Sequence, residues 1–179
     1  MNGRGQSLDY VNKNCLMNMK YEEAFKKYID KTLNIKIEKQ HNIYSHYDFS
    51  YNDINIIEYK GVYYSLDEEN KKAVSNKGTI IENVMIGNDK IKHYIKMKKD
   101  NNDLRFYLFY GFYDIDKEKQ KIIKIVYKYL EITEILNEII TDYKIIDWYN
   151  KDHYLIPIKD LLKIAGSPPH EQPFFNSPI

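Results

Sequence analysis

The chain has 179 residues, enough for one domain with a real hydrophobic core. Its apolar and charged fractions, 43% and 30%, are those of an ordinary globular protein, which argues against a disordered chain. The formal net charge of +1 excludes a global positive field, so any hold on nucleic acid must come from local basic patches.

No apolar run is long enough to cross a bilayer. Met1 to Asn14 is polar and lacks the apolar segment of a secretory signal, so a cytoplasmic location is expected. Cys15 is the single cysteine and has no intramolecular disulfide partner. The chain is rich in Lys, Ile, Asn and Tyr and poor in Arg and Ala, a bias that fits an AT-rich genome such as that of a compact microbe, a phage or a large DNA virus. Arginine occurs only as Arg4 and Arg105. Bidentate Arg–guanine contacts are the commonest specific base readout, so a nucleic-acid enzyme of this composition is expected to have low or shape-based specificity.

In chain order, residues 1–19 read as a flexible leader, followed by a domain over 20–165. Lys20 to Lys31 reads as a helix, with Tyr21, Ala24, Phe25, Tyr28 and Ile29 on one stripe. Ile35 to Glu38 reads as a short strand. Tyr47 to Tyr51 and Ile54 to Tyr59 read as strands joined by Asn52-Asp53, a tight-turn pair. Residues 65–78 read as loop, and Thr79 to Ile81 as extended. Asn88 is the expected N-cap of a helix to about Lys99, with Ile91, Tyr94 and Ile95 inward. Leu104 to Tyr113 and Lys121 to Leu130 are strongly β-forming. Residues 131–142 fit helix or strand equally. Ile145 to Tyr149 and Tyr154 to Ile156 read as a strand pair, and Ile158 to Ile164 as a short helix entered through Pro157. Residues 166–179 form a Pro-rich tail. The layout implies an α/β fold with a mixed central β-sheet flanked by helices.

The chemistry concentrates in HYDFSYNDINIIEYKG, residues 46–61. Side chains alternate along a strand, so Glu58 and Lys60 share one face while Ile57 and Tyr59 take the other. Hairpin pairing brings Asp48 towards Glu58. Phosphodiester hydrolysis uses such a set. Mg²⁺ takes oxygen ligands, often one or two carboxylates completed by water and phosphate. It neutralises transition-state charge and acidifies water, while a nearby lysine orients or helps deprotonate that water. The carbonyl of Tyr59 is a further oxygen ligand. Asp48 stands between Tyr47 and Phe49, in a β-forming run where a carboxylate is unwelcome without a reason.

The segment resembles the active-site hairpin of the PD-(D/E)xK nucleases, the restriction-endonuclease-like superfamily. Asp48 matches the first acid, Glu58 the second and Lys60 the lysine. Tyr47 stands where the nominal motif has proline. The order of elements over roughly residues 20–130 is similar as well, with a helix before the hairpin and a helix and strand after it. VMIGNDKIKHYIK followed by FYLFYGFYD is similar to small phage- and virus-type members. The resemblance implies an endonuclease that uses Mg²⁺, or Mn²⁺ in its place, and acts on DNA. It also implies a glutamate from the first helix near the metal. Glu22, at the edge of the apolar stripe, suits that role better than the outward Glu23.

Lys90 and Lys92 at the start of the second helix, and His46 two residues before Asp48, are candidate nucleic-acid contacts. The histidines show no zinc spacing, and no phosphate-binding loop is present. A homodimer is compatible with this reading. The competing reading is an inactive nuclease-fold protein that binds nucleic acid or protein as a viral or phage accessory factor.

Overall fold

The computed structural model describes residues 8–40, 47–67, 69, 71–75, 78–116, 121–148 and 150–163. These fall into two compact units that divide after Lys36. The first holds one helix, α1 (Leu8–Thr32), which begins twelve residues before the sequence pattern does. Gly3 and Gly5 precede it and neither Gly nor Pro interrupts it, so nothing in the backbone stops the helix short of Leu8. Of the expected leader, residues 1–7 lie outside the described residues, as does the tail 166–179.

The second unit is built on a six-stranded mixed sheet. Its strands are β1 (Glu38–Lys39), β2 (Phe49–Tyr51), β3 (Asn55–Val62), β8 (Arg105–Asp116), β9 (Lys121–Glu131) and β12 (Leu162–Lys163), in the spatial order β1-β2-β3-β8-β9-β12. Only β3 and β8 pair in parallel; the other neighbours are antiparallel. The β2–β3 turn falls where expected but takes three residues, Asn52 to Ile54, between the paired Tyr51 and Asn55. Asn52 and Asp53 adopt φ of 50° and 56°, the paired left-handed conformation that matches the twist of a two-stranded hairpin.

A parallel pair needs a crossover, and here it is long. Between β3 and β8 the chain makes β4 (Tyr64–Asp67), β5 (Lys72–Ser75), β6 (Ile80–Ile81), β7 (Asn83–Gly87) and α2 (Asn88–Asp100). The expected loop over 65–78 is therefore largely a hairpin, with Lys71 at φ 53°. Its polar sequence conceals the alternation of Leu66 and Ala73, which are directly paired and buried. Helix α2 starts one residue earlier than a cap at Asn88 requires. Gly87 is its N-cap, and the Asn88 amide oxygen instead accepts the Tyr154 hydroxyl at 3.3 Å. A Cβ on Gly87 would sit 2.5 Å from an Asp89 carboxylate oxygen, which the Asp89 side chain can relieve by turning away. At the other end, Lys98 donates to the carbonyls of Asn102 and Leu104 at 2.6 and 3.1 Å, a favourable place for a cation.

The ambiguous stretch 131–142 resolves into α3 (Leu136–Asp142). Strands β10 (Ile145–Trp148) and β11 (Lys151–Pro157) form a hairpin that joins β7 in a second sheet. The expected helix over Ile158–Ile164 shrinks to one 3-10 turn, Ile158–Asp160, followed by β12. Leu162 and Lys163 complete the main sheet against β9, and edge pairing outweighs the weak helical pattern of seven residues.

The main core lies on one face of the large sheet. Ile56, Phe106, Leu108 and Phe112 meet Ile91 and Tyr94 of α2, Ile86 of β7 and Tyr154 and Ile156 of β11. Tyr94 stacks on Phe106 with ring centroids 4.7 Å apart. The other face is aromatic, with Tyr59, Phe109, Tyr113 and Tyr127. Gly61 and Gly111 are paired across β3 and β8 on that face and leave space for the hydrogen-bonded hydroxyls of Tyr59 and Tyr113. Among the described residues no helix is long and apolar enough to cross a membrane.

Candidate active site

Glu58 sits in the middle of β3 with apolar neighbours. Its face is shared with Ile56 on its own strand and with Leu108, its partner on β8. It is 2% exposed, and a bare carboxylate at such a depth is costly unless it is paired. Two lysines do the pairing. The Lys60 ammonium lies 2.8 Å from Oε1 and that of Lys90 2.7 Å from Oε2. The Tyr94 hydroxyl adds a long hydrogen bond of 3.4 Å to Oε2. Lys60 is thus the ion-pair partner of the buried Oε1.

The β2–β3 register, Phe49 opposite Ile57, brings Asp48 beside Glu58. Asp48 stands immediately before β2, where the chain enters the strand. Its carbonyl accepts from the Gln40 backbone at 2.8 Å and its amide donates to Ile57 at 3.0 Å. Its carboxylate Oδ2 accepts the backbone N–H of Tyr59 at 2.8 Å. Burial first, and then the charge of Glu58, push the Asp48 carboxyl up from 3.8 to about 6, against the opposing pull of the Tyr59 N–H and the two lysines. Burial pulls the Lys60 ammonium down, but Glu58 and Asp48 outweigh it and its pKa ends above the ordinary value. Lys60 therefore holds its proton at neutral pH. Burial beside Glu58 likewise raises the Tyr94 phenol, which stays neutral and a donor.

In a strand, the N–H and C=O of one residue point to the same side. The Tyr59 carbonyl thus projects to the edge where its N–H meets Asp48, beyond the end of β2. The structure therefore unites Asp48, Glu58, Lys60 and the Tyr59 backbone. Lys90, expected as a phosphate contact, is a direct partner of Glu58 with 23% of its side chain exposed. Lys92, two residues on, is exposed on α2. Glu22 lies on α1, in the other unit. His46 lies outside the described residues. Tyr94 was legible only as an inward-facing core residue; its one signal is that a buried tyrosine hydroxyl needs a partner.

A cleft of about 340 Å³ opens beside this cluster. Lys60 and Lys90 stand on its wall, with Tyr64, Asp89 and Tyr110, and Trp148, Lys151 and His153 line it from the β10–β11 hairpin.

The chain is similar to a solved nuclease from a fusselovirus. The two share 16% identity over 90% of each chain, at a TM-score of 0.40. No protein-family model matches the chain, and no curated protein does.

The donor set suits a hard divalent cation. Mg²⁺ is commonly held by one or two carboxylates plus water and substrate phosphate. Asp48, Glu58 and the Tyr59 carbonyl would offer two carboxylates and a carbonyl of that kind, and a cation there would share the Glu58 oxygens with Lys60 and Lys90. Among the described residues no cluster of three or more His, Cys, Asp or Glu side chains could hold a metal, which leaves no zinc-like site.

Proposed function

We propose that the protein is a metal-dependent endonuclease that hydrolyses phosphodiester bonds in DNA, with low or structure-based specificity. The observation that carries this reading is Glu58, buried beside an Asp48 whose pKa stands near 6 and paired with two lysines that themselves line an open cleft. A carboxylate with a raised pKa next to a cleft is what a catalytic site needs and what a stable surface avoids.

In this reading Asp48, Glu58 and the Tyr59 carbonyl would hold Mg²⁺, with Mn²⁺ as a substitute. The bound ion supplies positive charge to the phosphate oxygens and acidifies water for attack. Lys60 stays protonated, so it orients the attacking water as a donor and balances charge on the phosphate, and does not act as the base. Lys90 pairs with the Glu58 carboxylate and fixes its direction, and Tyr94 steadies the same group. Lys92 and His46 are proposed contacts to the substrate backbone, and a homodimer would place two such sites for paired cuts.

The test is cleavage of a plasmid with Mg²⁺ or Mn²⁺, with chelator as the control. Asp48→Ala, Glu58→Ala and Lys60→Ala should each abolish cutting while the circular dichroism spectrum stays folded. Cutting that persists in all three variants sinks the assignment. The second reading, an inactive nuclease-fold binding protein, is favoured by the two lysines that already hold both oxygens of Glu58. Under it, the wild type binds DNA and never cuts it with any divalent metal.

A further inference from the structure

Trp148 is the only tryptophan in the chain, and it stands 48% exposed on the wall of the cleft that Lys60 and Lys90 also line. An indole half in water at a cleft wall presents apolar aromatic surface to whatever enters the cleft. Its neighbours define the partner's chemistry. In the β10–β11 hairpin Trp148 pairs with Lys151, and Ile146 with His153, so Trp148, Lys151 and His153 project from one face. The His153 ring is held by Nδ1, which donates to the Lys151 carbonyl at 2.9 Å and leaves Nε2 as the ring's other polar atom. The cleft thus offers a flat aromatic surface, a cation and a ring nitrogen on one side and the lysines of the carboxylate cluster on the other.

From this arrangement we propose that the cleft takes one unstacked nucleotide of the strand being cut, its base on Trp148 and its flanking phosphate on Lys151. The inference rests on the nuclease reading above and narrows its substrate to DNA with single-stranded character. Size supports it. A volume of 340 Å³ is near the lower end of the roughly 300–1,000 Å³ usual for small-molecule pockets, room for a nucleotide and not for a duplex. Charge supports it too. With a net charge of +1 the protein lacks the broad field that grips a double helix, and base stacking supplies affinity without one.

The experiment uses the full chain carrying Asp48→Asn, in chelator, so that binding is read without cleavage. A short single-stranded oligodeoxynucleotide should quench the Trp148 fluorescence as it binds, and fluorescence anisotropy of the labelled strand should give the same Kd. Trp148→Ala in that background should weaken binding about tenfold, the scale of one stacked base, whereas Trp148→Phe should stay within about threefold. A blunt duplex of the same sequence should bind at least about tenfold more weakly than the single strand. Binding without quenching, unchanged affinity in Trp148→Ala, equal affinity for the duplex, or no binding of the single strand would overturn the proposal. Separately, wild type that binds and quenches but never cuts would remove the nuclease reading and leave this cleft standing. Wild type that cuts, with Trp148→Ala binding normally, would do the reverse.

Discussion

Lys90 sits 32 residues from Glu58 in sequence, yet its ammonium lies 2.7 Å from Glu58 Oε2. Helix α2 begins directly at the end of β7, and its first turn delivers this lysine to the buried carboxylate of β3. The contact turns Glu58 from an unsupported buried charge into the centre of a two-lysine clamp.

Removing Lys90 leaves Lys60 as the only cation on Glu58. Lys90→Met should lower the stability of the metal-free protein by about 2–3 kcal/mol, at the low end for breaking a buried pair because Lys90 keeps 23% exposure. Mg²⁺ should restore part of the loss by supplying the missing charge. Urea denaturation with chelator and with Mg²⁺ measures both effects; equal stability of variant and wild type in chelator would remove the clamp from the argument.

Asp48 gives a pH dependence whose sign is fixed by its raised pKa. The folded value of about 6 lies above the ordinary 3.8, so the fold prefers the protonated form. The favourable contribution is fully present below about pH 4 and is lost as pH rises through 6. Asp48→Asn should therefore stabilise the metal-free protein at pH 8 by about 2 kcal/mol and change little at pH 4. It should also abolish cleavage. Tm measured across this range decides it, and a variant less stable than wild type at pH 8 would contradict the burial argument. Because Asp48 must lose its proton to serve as a ligand, Mg²⁺ binding should weaken below pH 6.

Tyr94 donates only a long hydrogen bond to Glu58, at 3.4 Å, while its ring is packed on Phe106. Tyr94→Phe should keep the packing and cost less than about 1 kcal/mol in denaturant titrations. Its effect should appear as a few-fold higher Mg²⁺ requirement for cleavage, and an unchanged metal dependence would confine Tyr94 to the core.

On the opposite face, a Cβ at Gly111 would collide with the Tyr59 hydroxyl, which is buried and bonded to Tyr113. Gly111→Ala should destabilise by about 1–3 kcal/mol. Adding Tyr59→Phe should recover part of it, because the colliding oxygen is gone. A double variant no better than the single one would place the strain elsewhere.

Some of this was legible in the chain itself. The Asn52-Asp53 turn, the shared face of Glu58 and Lys60 and the inward positions Ile91 and Tyr94 all follow from local geometry, since strand and helix periods are properties of the backbone. The strands from Leu104 and Lys121 announced themselves by β-branched and aromatic residues. The hairpin over 64–75, the 3-10 turn at Ile158 and the N-terminal reach of α1 did not, because polar or short segments take their form from whichever neighbour they pair with. Likewise, the sequence determined that an acid and a lysine would share one face of β3. The hairpin also placed Asp48 near them, but only the tertiary structure decided that Lys90 and Tyr94 would join them and that Trp148 would look onto the cleft beside them. Those meetings depend on strand register and on burying Glu58 with compensating charge, which are long-range requirements that no local pattern encodes.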